Sequence, residues 1–79
     1  MNYVDRLFKE NIVQMGITIQ KARTERKLNL QMLAIMTHIN PGFLGDIEAG
    51  IVVPSFKDIY KISYALGYDL STFFALLAR

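Results

Sequence analysis

Three features of the sequence predict an all-α domain. Apolar residues recur at steps of three and four, no segment shows the strict alternation of a half-buried strand, and each periodic stretch is bracketed by helix start and stop residues. Phe8, Ile12, Met15, Ile19 and Ala22 lay one stripe along a helical stretch from about Tyr3 to Arg26. Gly16 leaves two readings open there, since a glycine inside a helix costs roughly 1 kcal/mol relative to alanine: one long helix, or two meeting near Met15 and Gly16. Asn29 is placed to cap the next helix, Leu30 to Met36, with Leu33, Ala34 and Met36 facing inward, and a tight turn follows at Thr37 to Ile39. Asn40 is placed to cap a third helix that has Pro41 at its first position and Gly50 just past its end. In "PSFKD", Ser55 and Asp58 have capping-box spacing, and the helix they open runs to Leu66 and stops at Gly67. Asp69 caps the last helix, Leu70 to Leu77, which Phe73, Phe74, Leu76 and Leu77 make apolar nearly all round. No repeat, linker or low-complexity segment interrupts the series.

The 79 residues allow one domain whose core is small for its surface. The chain is 52% hydrophobic before its five glycines are counted, against roughly 45 to 50% with glycine included in ordinary soluble domains, so part of the apolar surface is expected to meet a partner. Absence of cysteine excludes disulfides, thiolate metal sites and cysteine nucleophiles. With one histidine, no carboxylate cluster and no glycine-rich phosphate loop, the sequence predicts neither an enzyme nor a cofactor or metal site. No apolar run approaches the roughly 18 residues of a membrane span, and the start "MNYVDRLFKEN" is charged where a signal peptide is greasy. A cytoplasmic protein without membrane contact is therefore expected. The net charge is +2, unevenly spread. Residues 1–27 and 57–79 carry an excess of Lys and Arg, whereas residues 28–56 contain only Asp46 and Glu48 as charged side chains. An acidic centre is the reverse of the basic footprint that binds phosphates.

Met15, Gly16, Ile19, Ala22 and Arg23, then "LNLQMLA" at 28–34, "INPGFLGDIEAG" at 39–50, "PS" at 54–55 and "ALGYDLSTFF" at 65–74 follow one another in the order and spacing of a known pattern. In these segments the chain resembles the Cro/C1-type (XRE-like, lambda-repressor-like) helix-turn-helix family, over about Met15 to Phe74. Restriction-modification controller proteins and small phage repressors are similar in size. The resemblance implies five helices, the second and third forming the helix-turn-helix, with helix three laid in the major groove by a dimer. Residues 1–14 are then an N-terminal helical extension and 15–79 the domain. The resemblance also implies that Arg23 pairs with Glu48 as a structural pair, and that a homodimer forms through the last helix, with Tyr68, Phe73, Leu76 and Leu77 as interface candidates and Leu70 and Phe74 in the core.

Departures from the family pattern bear on function. Leu30 stands where a phosphate-binding glutamine is usual, with Gln31 one place later, and His38 takes the turn position usually held by glycine. The base-facing positions are Pro41, Gly42, Gly45, Asp46 and Ala49, following the Asn40 cap. Only Asp46 among the five carries a hydrogen-bonding side chain, suited to a cytosine amino group but repelled by phosphate. In the exit loop, Ile51, Val52 and Val53 replace the usual cations, and Phe43 is expected in the core. Double-stranded DNA remains the expected partner, held by Lys21, Arg26, Lys27, Lys57 and Lys61 at the edges and by helix-start N–H groups, with DNA shape supplying discrimination. The alternative is a helix-turn-helix turned to protein binding through the patch Ala49, Ile51, Val52 and Val53, as in an anti-repressor, heterodimer partner or toxin-binding module.

Overall fold

The computed structural model describes residues 2–78, which form five helices: α1 (Tyr3–Glu25), α2 (Leu30–Thr37), α3 (Pro41–Ala49), α4 (Phe56–Ala65) and α5 (Leu70–Leu77). No strand occurs among the described residues. Met1 and Arg79, the outer ends of the extension and of the domain expected from the sequence, lie outside them.

Each helix begins on a side-chain cap. Asn2, Asn29, Asn40, Ser55 and Asp69 all accept from first-turn N–H groups at 2.8 to 3.2 Å, satisfying donors that have no partner inside the helix. Ser55 and Asp58 close the reciprocal capping box at 3.0 and 3.1 Å. The first four helices end alike. After α1, Lys27 N–H donates to Thr24 and Leu28 N–H to Arg23; after α4, Gly67 donates to Tyr64 and Tyr68 to Ser63. The ends of α2 and α3 repeat the pattern through His38 and Ile39, and through Gly50 and Ile51. This two-bond closure needs one left-handed residue, and the four that supply it are Lys27 (φ 57°), His38 (55°), Gly50 (74°) and Gly67 (87°).

Gly16 lies inside a single unbroken α1, which resolves the two readings left open by the sequence. A Cβ at Gly16 would lie 2.5 Å from the Ile47 carbonyl oxygen and would also strike the Glu48 carbonyl. The glycine therefore admits the backbone of α3 against α1, a packing gain that outweighs its helix-propensity cost.

The core is built from the inward stripes of all five helices, with Ile19, Leu33, Leu44, Ile62, Leu66 and Phe73 sealed from solvent. Five expected positions differ. Met36 is half-exposed and Thr37 is buried in its place, its hydroxyl donating to the Leu33 carbonyl at 2.8 Å, because the inward face of α2 is centred on Leu33, Ala34 and Thr37. Phe73 and Phe74 exchange roles. Phe73 is buried beside Tyr68, ring centroids 6.2 Å apart, whereas Phe74, one residue or about 100° further round the helix, is 41% exposed. The Phe73 side chain therefore has no surface to offer a dimer interface. Phe43 is 37% exposed. Phe8 is exposed as well, as is every residue from 2 to 11.

Candidate nucleic-acid interface

Residues 30–49 place two short helices around a three-residue turn. His38 turns the chain in the left-handed region and Ile39 drops into the core. Asn40 then starts α3, its Oδ1 accepting from Gly42 N–H at 2.8 Å and Phe43 N–H at 3.2 Å. Behind α3, Leu44 and Ile47 fill the core, and Glu48 meets Arg23 of α1. Arg23 Nε donates to Glu48 Oε2 at 2.7 Å and a terminal nitrogen donates to Oε1 at 2.9 Å, while the other terminal nitrogen donates to the Leu28 carbonyl at 2.9 Å. Both side chains are nearly buried, 11% and 7% exposed. The Glu48 hydrogen bonds hold the Arg23 guanidinium above its already high ordinary pKa, against the opposing cost of burial. One arginine thus ties the end of α1, the approach to α2 and the last turn of α3.

The outward face of α3 carries little chemistry. Gly42 and Ala49 are exposed, with Pro41, Gly45 and Asp46 partly so, and Phe43 at the margin. Its N-terminus offers phosphate little, because Pro41 has no N–H and the next two donors are bound to Asn40. The start of α2 differs. There Asn29 takes the Met32 and Leu33 donors and leaves those of Leu30 and Gln31 ahead of the cap, with the Gln31 side chain exposed.

The five edge cations separate into two groups. Lys27 lies in the turn between α1 and α2, and Lys57 and Lys61 lie on α4 just after the exit loop. Lys21 instead lines a cleft of about 440 Å³ between α1 and α5, with Ile17, Glu25, Tyr68 and Leu76. It sits roughly 140° round α1 from Gly16, where α3 packs. Arg26 donates to the Ala22 carbonyl and lies 4.9 Å over the Tyr68 ring. These two belong to the α1/α5 side and are removed from the α3 set. The exit loop divides too: Val52 packs on the core, while Ile51 and Val53 are 70% and 57% exposed. With Phe8 and Ile12 of α1 they line an apolar cleft of about 380 Å³. Among the described residues no group of His, Asp or Glu is disposed to hold a metal ion, and no described helix is long and apolar enough to cross a membrane.

Sequence reasoning missed the exposure of Phe43 and of Met32, Ile35 and Met36 on α2. It also missed the exposed aromatics of α4, although their spacing of four residues is visible in the sequence.

Two short helices joined by a left-handed turn, the second clamped from behind, define a helix-turn-helix unit. The chain belongs to the helix-turn-helix domain family, which it matches over residues 16–78. It is 38% identical over 58 residues to Multiprotein-bridging factor 1 of Candida albicans and, over the same length, to that of Debaryomyces hansenii. Those segments are 73% of this chain but only 38% and 39% of the relatives, so the match spans well under half of either protein. In fold it is similar to the clp gene regulator ClgR of Corynebacterium glutamicum, with a TM-score of 0.80 at 22% identity over 86% of this chain and 72% of that one.

Proposed function

We propose that this domain is a DNA-binding transcriptional regulator that lays α3 in the major groove as a homodimer, with recognition dominated by backbone and DNA shape. The observation that carries the reading is the contrast in α3 between a fixed back and an unobstructed front, where Gly42, Gly45 and Ala49 let the helix backbone approach the groove floor. Lys27, Lys57 and Lys61 contact phosphates at the edges, joined by Gln31 and the first N–H groups of α2. Asn40 and Pro41 set the start of the reading helix, and Asp46 is the one side chain able to select a base, a cytosine. The dimer forms through α5, where Phe74 takes the place expected for Phe73, beside Tyr68, Leu76 and Leu77.

A salt titration with random duplex DNA tests this. Each neutralised phosphate contributes about 0.9 to the slope of log K against log salt, so two or three contacts per subunit give roughly −4 to −5 for a dimer. Lys27→Ala and Lys57→Ala each make the slope shallower, and Lys21→Ala leaves it unchanged. Negligible binding at about 50 mM salt, by folded protein, overturns the reading.

Exposure of Ile51 and Val53 beside Phe8 favours a second reading, in which the same unit binds a protein through its exit loop. The name of the yeast relatives, a multiprotein-bridging factor, agrees with it. Ile51→Asp then abolishes capture of that partner without altering the fold, and the domain binds no duplex at low salt.

A further inference from the structure

The outward face of α4 carries an apolar feature that neither reading uses. Phe56, Tyr60 and Tyr64 are 66%, 46% and 53% exposed, and their spacing of four residues lines them up along roughly 12 Å of helix. The Tyr60 and Tyr64 rings stack with centroids 4.7 Å apart and planes at 28°, so they form a panel that is already ordered. Exposed, pre-ordered aromatics of this kind are the usual anchors of protein interfaces.

Charge around the stripe selects the occupant. Lys57 and Lys61 follow Phe56 and Tyr60 by one residue each, which sets both ammonium groups along the same edge, about 100° round the helix. The carboxylates nearest in sequence are engaged elsewhere. Asp58 accepts from Ser55 N–H at 3.1 Å, and Asp69 accepts from Thr72 N–H at 2.8 Å. Asp58 lies on α4 itself and keeps its charge while it caps the helix start, so the edge carries two ammonium groups against one carboxylate and stays net cationic. A second copy fits poorly, because two-fold pairing of antiparallel helices brings like edges together and sets these lysines against their own counterparts. A single-stranded base fits poorly as well, since Tyr60 and Tyr64 are already stacked on each other and leave no gap between their rings.

We propose that this face docks an amphipathic helix of another protein, whose apolar stripe covers Phe56, Tyr60 and Tyr64 and whose acidic edge lies against Lys57 and Lys61. The test is selection of binders to the whole chain from a displayed library of amphipathic helices randomised along both edges, with amide shifts of the domain used to map where the selected helix binds. The expected result is enrichment of Asp and Glu on one edge, with shifts centred on α4. Lys57→Glu combined with Lys61→Glu reverses that preference to Lys and Arg, and Tyr60→Ala, a solvent-facing change that leaves helicity intact, weakens the selected helix by about tenfold or more. Three results overturn the proposal: no helix is enriched, the preferred edge charge ignores the double charge swap, or Tyr60→Asp dissociates a homodimer in sedimentation, which assigns the face to a second copy. The selection contains no DNA, so its outcome is independent of the duplex-binding reading.

Discussion

Facing α1, helix α3 is held by a bidentate, nearly buried ion pair and by a backbone approach so close that only glycine fits opposite it. Facing outward, the same nine-residue helix presents two glycines, an alanine, a proline edge, one carboxylate and the partly exposed Phe43. The difference teaches that the framework of a helix-turn-helix and the outward surface of its second helix are separable. The framework depends on a few contacts with strict geometry, whereas no core packing depends on the outward side chains, which are therefore free to be small.

The strongest way to break this contrast is through Glu48. Glu48→Ala leaves Arg23 buried and uncompensated and is expected to cost about 3 kcal/mol, measured by urea unfolding, whereas Arg23→Met combined with Glu48→Leu recovers most of that loss. Gly16→Ala comes next. Helix propensity alone favours it by about 1 kcal/mol, yet the new Cβ meets backbone that cannot step aside, so a net loss of about 2 kcal/mol is expected. A stabilisation would show that α1 and α3 separate freely.

The left-handed residues sharpen the comparison. Lys27→Gly relieves a positive φ and is expected to stabilise the domain by about 0.5 to 1 kcal/mol in thermal unfolding. Gly50→Ala destabilises it, since the added Cβ also lies 2.9 Å from the Val13 Cα. On the front of α3, Asp46→Ala changes stability by less than about 0.5 kcal/mol. It strengthens non-specific duplex binding at low salt, as read by fluorescence anisotropy, because a repulsive charge is removed. Unchanged or weaker binding would place α3 away from phosphate.

The smallest effect concerns acid. The Thr72 backbone and side chain hydrogen-bond the Asp69 carboxylate and hold its pKa below the usual carboxylate range. A lowered folded-state pKa means that the cap contributes fully above the unfolded value near pH 4, and that the contribution is lost as pH falls through the lower folded value. Acid titration followed at the Thr72 amide is expected to show α5 fraying at its start while α3 is unaffected.

Much of the framework was legible in the sequence because its signals are local. Asn29, Asn40, Pro41, the Ser55 and Asp58 box and Asp69 each act on donors within three residues, and the turn at His38 needs only a residue that accepts a positive φ. The family pattern extended this legibility to one long-range contact, Arg23 with Glu48. The candidate site was less legible. Periodicity showed that α5 is apolar but not which of Phe73 and Phe74 faces inward, and it grouped Lys21 and Arg26 with Lys27 although they sit on the α1/α5 side.

Apart from the continuity of α1 through Gly16, which the sequence left open, what the sequence determined by itself is where the helices start and stop, since caps and left-handed turns are hydrogen-bonded over a few residues. Only the tertiary structure decided the rotation of each helix about its axis: Thr37 rather than Met36 inward, Phe43 outward, and Phe56, Tyr60 and Tyr64 in one exposed line. That rotation is set by which neighbour lies on which side. At about 100° per residue, a shift of one position exchanges a core side chain for a surface one.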